Sequence, residues 1–177
     1  MTRWIVPALL AALACPAAAA QPRLQRGTHE LAVHVSPDFE GAVGDQIDVA
    51  AGYGVFVRDR LSLGGTLLWE SLEDVAGEDS DYRTWEVGIA ADYHFAGLGR
   101  VVPFAGAGAG WRRTRFDLLD ESAVVYGPRA GVEVYLADNV ALGLEVTYKL
   151  AGADVFVNDF VVEDTDLSSM IGLRVAF

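Results

Sequence analysis

The feature that most constrains this chain is a two-residue alternation that runs through nearly all of it. From His29 onward, apolar residues recur at every second position in eight segments, 29–35, 47–57, 61–70, 84–95, 103–113, 124–136, 140–150 and 165–177. The seventh segment shows the pattern plainly: Val140, Leu142, Leu144, Val146, Tyr148 and Leu150 share one parity. Across all eight segments that parity holds no charged residue, and its one plainly polar member is Ser169. The opposite parity carries Glu30, His34, Asp48, Ser62, Thr66, Glu70, Glu86, Asp92, His94, Arg112, Arg129, Glu133, Glu145, Thr147, Lys149, Asp166 and Arg174. Glycines such as Gly52, Gly54, Gly106, Gly108 and Gly110 fill much of what remains. A period of two is the signature of a β-strand with unlike faces. The chain therefore reads as eight antiparallel strands, each with one apolar and one polar edge.

Two closed arrangements can use such strands. A soluble barrel or sandwich buries the apolar parity, whereas a membrane barrel turns it outward to lipid. Three features favour the membrane. The polar parity is rich in glycine, which suits a narrow lumen; a solvated face has no packing reason to omit side chains. The aromatics are banded by height. With the N-terminus placed on the periplasmic side, Trp69, Trp85, Trp111, Tyr126 and Tyr148 fall at the outer ends of their strands, and Tyr53, Tyr93, Phe95 and Phe177 toward the inner ends. Two such girdles around an aliphatic band match the two membrane–water interfaces. The connections also alternate: Arg58–Arg60 and Ala137–Asn139 are tight, while 36–46, 71–83, 114–123 and 151–164 are longer. Composition agrees. The chain is 52% hydrophobic with a net charge of −12, which excludes disorder and opposes nucleic-acid binding.

The N-terminus reads as an export signal. Arg3 supplies the positive charge, residues from Trp4 to Leu13 an apolar core, and Ala18–Ala20 a small-residue cleavage site before Gln21. Residues 1–20 are thus expected to be a signal peptide, 21–28 a short lead-in and 29–177 the barrel. Cleavage after Ala20 also removes Cys15, the single cysteine, whose surroundings loosely resemble a lipoprotein box.

The chain resembles the small eight-stranded outer-membrane barrels of Gram-negative bacteria, the OmpA/OmpX type. The likeness rests on Val102-Pro103-Phe104-Ala105-Gly106-Ala107-Gly108-Ala109-Gly110-Trp111, which is similar to their fifth strand. It rests equally on the ending Ile171-Gly172-Leu173-Arg174-Val175-Ala176-Phe177. The resemblance implies an all-β, up-and-down transmembrane barrel. It also implies an insertion signal in which the outer-membrane assembly machinery reads Phe177. Enzymes of this scaffold, a lipid A palmitoyltransferase and a lipid A deacylase, would need a His and a Ser at the outer rim or on the lipid face. Neither set is present, so no catalytic, metal or cofactor residue is assigned.

The candidate site is the lumen. Glu30, Asp48, Glu70, Glu86, Arg112, Arg129, Glu133, Glu145, Lys149 and Arg174 are expected to form a charge network that plugs it, because buried charges must be paired. Asp48, Glu70 and Glu86 are placed near the outer end, opposite Arg112, Arg129 and Lys149. Glu30 and Arg174 are expected to pair across the seam between first and last strands. The membrane-interface aromatics are Trp69, Trp85, Trp111, Tyr126, Tyr148, Tyr93 and Phe95. The acidic loop residues Glu73, Asp74, Glu78, Asp79, Asp81, Asp154, Asp159, Glu163 and Asp164 are read as solvated tips. Expected partners are outer-membrane lipids and lipopolysaccharide, the assembly machinery during insertion, and a surface ligand at the outer loops; the chain is expected to be a monomer. The function that follows is structural or surface-interacting. A narrow solute channel and a soluble periplasmic ligand-binding barrel are the alternatives.

Overall fold

A computed structural model of the protein describes residues 24–38, 46–72, 82–116, 119–158 and 161–177. Residues 1–20, expected to be a signal peptide, with Cys15, and the acidic residues Glu73, Asp74, Glu78, Asp79, Asp81 and Asp159, lie outside the described residues. Eight antiparallel strands close into a barrel. They are β1 (His29–Asp38), β2 (Gln46–Arg58), β3 (Leu61–Leu72), β4 (Tyr82–His94), β5 (Val101–Phe116), β6 (Leu119–Ala137), β7 (Val140–Ala151) and β10 (Thr165–Ala176). Between β7 and β10 lies a two-stranded sheet of β8 (Phe156–Asn158) and β9 (Val161–Glu163). Barrel strands follow chain order, and β1 meets β10 at the seam, with Ala32 opposite Arg174 and Val35 opposite Ile171. Closure leaves each barrel strand a partner on both sides. Lipid requires this, because an unpaired backbone group there costs several kcal/mol.

The register places the two parities as the alternation predicts. Ile89, Leu67, Val124 and Leu167 stand outward at 70, 54, 61 and 71% exposure. Glu30, Glu70, Glu86, Arg112, Glu133, Glu145 and Arg174 point inward and are buried. An uninterrupted apolar belt of this kind suits hydrocarbon and not water.

Both tight turns carry a bulge beside them, between Phe56 and Arg58 and between Tyr135 and Ala137. Arg60 has φ 66°, a left-handed conformation that closes the first turn. On β6, Pro128 cannot donate a ladder hydrogen bond. The pairing with β7 accordingly passes from Tyr126↔Leu150 straight to Arg129↔Thr147. Gly127 lets the strands stay close there: a Cβ on it would lie 1.9 Å from the Tyr148 carbonyl oxygen.

Three features differ from the sequence reading. The segment 114–123 is mostly strand, since β5 runs to Phe116 and β6 starts at Leu119. Beyond the girdle the outward parity turns polar, with Arg113, Arg115 and Asp120 in place of apolar residues, so the alternation signal disappears although the ladder continues. The segment 151–164 contains the β8–β9 sheet. Finally, the lead-in crosses the inner end: Gly27 N–H donates to Phe56 O at 2.8 Å, Arg60 N–H donates to Leu24 O at 2.8 Å, and Leu24 packs on Val102, Tyr135 and Ala141.

Candidate functional site: the barrel lumen and its outer rim

The inward side chains form three layers of ion pairs. At the inner end, Arg174 Nη1 donates to Glu30 Oε2 at 2.9 Å, and its Nε lies 2.9 Å from Glu133 Oε1. One guanidinium therefore ties β10 to β1 across the seam and to β6 across the lumen. Tyr135 Oη donates to Glu133 Oε2 at 3.0 Å, and His94 Nε2 lies 3.1 Å from Arg174 Nη1. Phe104 stacks beside this group, with the Arg174 guanidinium 5.6 Å from its ring centre. In the middle, Arg129 Nη2 donates to Glu145 Oε2 at 2.6 Å and its Nε lies 3.2 Å from Asp92 Oδ1. Thr147 Oγ1 donates to Glu145 Oε1. At the outer end, Arg112 forks onto both oxygens of Glu70 and also reaches Glu86 Oε2 at 3.4 Å. Lys149 Nζ donates to the same Glu86 oxygen at 2.7 Å.

Arginine suits these positions because its planar fork satisfies two carboxylates at once in a largely buried space. Of the predicted charges, nine fall in these layers. Asp48 sits on β2 opposite Glu70, half-buried. Arg129, expected near the outer end, belongs to the middle layer. Residue 129 lies about halfway along both the 124–136 segment and the observed β6, and its register partners are Gly106 on β5 and Thr147 on β7. His34 lies inward over Gly172, where a Cβ would come 2.0 Å from His34 Cδ2. His29 sits at the inner rim; its Nδ1 is 2.7 Å from Tyr53 Oη, and its ring stacks on Phe177.

Sequence reasoning missed two groups. Phe56, Phe104 and Tyr135 are inward aromatics, 1, 3 and 2% exposed, that fill the inner end. Their signal was available, because each stands on the polar parity. The second group is Val155 and Phe156, which the 151–164 segment folds into the outer mouth at 0 and 1% exposure. Thr114 Oγ1 donates to Val155 O at 2.7 Å, Arg112 Nε donates to it at 3.3 Å, and the Arg112 guanidinium lies 4.8 Å over the Phe156 ring. No strand periodicity marks that contact. Between the layers remains a cavity of about 120 Å³, lined by Ser62, Thr66, Glu86, Asp92, Arg129 and Thr147 among others.

The outer rim carries the aromatic girdle. Trp69 is opposite Trp85, and Trp85 meets Trp111 edge to face at 4.8 Å between ring centres. Tyr126 and Tyr148 are also exposed, at 52 and 43%. Tyr93 and Phe95 pack edge to face at 5.3 Å toward the inner end. Above the tryptophans, Arg113 donates from Nε and Nη2 to the two oxygens of Asp120, both at 2.7 Å, and Arg115 Nε reaches Asp120 at 3.2 Å. Arg113's hydrogen bonds draw the Asp120 carboxyl down to about 2.

A closed eight-stranded barrel with its apolar parity outward, its charges inward and aromatic girdles at both heights is an outer-membrane β-barrel protein. The chain belongs to the outer membrane protein beta-barrel domain family, whose model matches residues 5–176. No curated protein sequence matches it. Among solved structures it is similar to Neisserial surface protein A, at TM-score 0.60 and 18% identity over 85% of this chain and 96% of that one. It is similar also to OprH from Pseudomonas aeruginosa, at TM-score 0.57 and 15% identity over 85% and 99%. A third is OprG from the same organism, at TM-score 0.55 and 12% identity over 90% and 99%. The family and these folds place the protein in the outer membrane, which sets aside the soluble periplasmic alternative.

Proposed function

We propose that this protein is a non-enzymatic, solute-tight component of the outer membrane whose role is structural and surface-interacting. The observation that carries the reading is the stacking of the three ion-pair layers, Arg112 with Glu70 and Glu86, Arg129 with Asp92 and Glu145, and Arg174 with Glu30 and Glu133. The ion pairs of each layer join strands one or two places apart around the barrel, Lys149 on β7 reaches Glu86 on β4, and His94 on β4 meets Arg174 on β10, the strand opposite it. Val155 and Phe156 cover the outer layer, and Phe56, Phe104 and Tyr135 crowd the inner one. A solute would have to separate paired buried charges, at a cost of several kcal/mol per layer. The β4–β6 tips and the 151–164 segment then provide the working surface, with insertion through the assembly machinery reading the β10 end and Phe177.

Planar-bilayer recording of the folded protein tests this. The expected result is a quiet membrane at protein levels where a porin gives stable steps. Reproducible unitary conductance would instead support a narrow channel through the residual cavity.

A further inference from the structure

Val155 and Phe156 are buried at 0 and 1% exposure, yet neither belongs to a barrel strand. They reach the outer mouth on the strap that joins β7 to β10, whose β8 and β9 pair with each other. The strap closes on itself at its base: Ala151 N–H donates to Asp164 O at 2.7 Å, and Val155 N–H donates to Glu163 O at 3.1 Å. What the dipeptide meets in the mouth is supplied by the barrel. Thr114 Oγ1 and Arg112 Nε on β5 both donate to the Val155 carbonyl, and the Arg112 guanidinium covers the Phe156 ring. Thr84 Oγ1 on β4 donates to Thr114 Oγ1 at 3.0 Å, which commits the Thr114 proton to that carbonyl. Ala123 and Val125 on β6 pack beside the pair.

A cork that only fills space needs an apolar floor. Burying Thr84, Thr114 and Arg112, at 0, 0 and 3% exposure, costs free energy unless each polar group is met. Here two donors converge on one carbonyl oxygen, and a cation lies over one ring. The carbonyl and the ring that they hold belong to successive residues, so together they are the acyl group and the side chain of an N-acyl-phenylalanine. The groups that hold them stand on three adjacent barrel strands, β4, β5 and β6, and are positioned by the barrel ladder. Charge narrows the class of ligand further. Arg112 is already matched by Glu70 and Glu86, so the mouth suits a neutral acceptor, whereas an anion would meet two carboxylates.

We propose that the outer mouth is a receptor for an aromatic residue of an extended peptide, and that Val155–Phe156 is its tethered occupant. The strap holds the receptor closed and opens it by turning about Gly152, which is exposed with open space around it. This deepens the surface-interacting reading above and rests on it. A tethered occupant competes with every free ligand, so apparent affinity falls with the fraction of molecules whose mouth is open.

The test uses the protein folded in nanodiscs and titrated with N-acetyl-L-phenylalanine amide, with binding read from the methyl signals of Ala123 and Val125. The D-enantiomer partitions into lipid equally and is the comparison. F156A removes the tethered ring and is expected to bind the L-amide at least about tenfold more tightly than wild type. F156A/T114V, which lacks one donor to the carbonyl, should bind it at least about threefold more weakly than F156A. R115Q, at the exposed rim, should stay within about twofold of wild type. Heat-dependent gel migration checks that each variant is a closed barrel. If F156A fails to close, F156L, which keeps apolar volume but gives up the ring beneath the guanidinium, must still bind measurably more tightly than wild type. Equal binding by wild type and a folded Phe156 variant overturns the proposal, as does no binding by either. Equal binding of the two enantiomers, or undiminished binding by F156A/T114V, overturns it too. Conductance of the wild-type protein is read separately, so the receptor and the solute-tight reading fail independently.

Discussion

Arg174 satisfies two carboxylates at once, so its loss strands both Glu30 and Glu133 in a closed space. Replacing it by Met should cost about 3–5 kcal/mol, the range for removing one partner of a buried pair. Adding E133Q to R174M should recover part of that loss; denaturant unfolding from vesicles reads both. Gly127 carries a different constraint. A methyl there would press on the Tyr148 carbonyl, so G127A should destabilise by about 1–3 kcal/mol. G152A, with nothing within 4 Å of the added carbon, should stay within about 0.5 kcal/mol of wild type by the same assay. Asp120 supplies a pH signature. Its carboxyl sits at about 2 in the folded protein against an ordinary 3.8. A depressed folded value means that its contribution is fully present above about pH 4 and fades as pH falls through 2. The stability difference between wild type and D120N should therefore be constant above pH 4 and shrink between 4 and 2.

The eight strands were legible because hydrocarbon outside and paired charge inside impose opposite demands on alternate residues. Where that contrast ends, the signal ends. The β5–β6 hairpin extends past the girdle with a polar outward parity, and neither Arg113 nor Arg115 announces a strand. The inward contact of Phe156 with Arg112 was illegible for a related reason: a segment that folds back over the mouth has no period to read. The register of the β6–β7 hairpin was readable, since the tight turn at 137–139 fixes Arg129 opposite Thr147. The height of Arg129 in the lumen follows from its place halfway along β6, with Asp92 and Glu145 as its partners. The first turn carries its own prediction. Arg60 holds φ 66°, which glycine adopts without steric cost. R60G should leave the barrel as stable as wild type or up to about 1 kcal/mol more so, measured by the same unfolding titration.

The molecule as a whole is a soluble protein's polarity reversed. Its charged residues fill the middle, its aliphatic residues face out, and its tryptophans mark where lipid gives way to water. Outer-membrane residence and the proposed closure of the lumen both depend on that one assignment of parities. The most direct test is a spin-label scan of β7, with single cysteines at successive positions from 141 to 148 of the protein in lipid vesicles. The account predicts a strict alternation. Labels at 142, 144, 146 and 148 should collide freely with dissolved oxygen, and those at 141, 143, 145 and 147 should be sheltered from it. Labels at 142, 144, 146 and 148 that are shielded from oxygen, with those at 141, 143, 145 and 147 open to an aqueous nickel reagent, would contradict it and return the apolar parity to the interior.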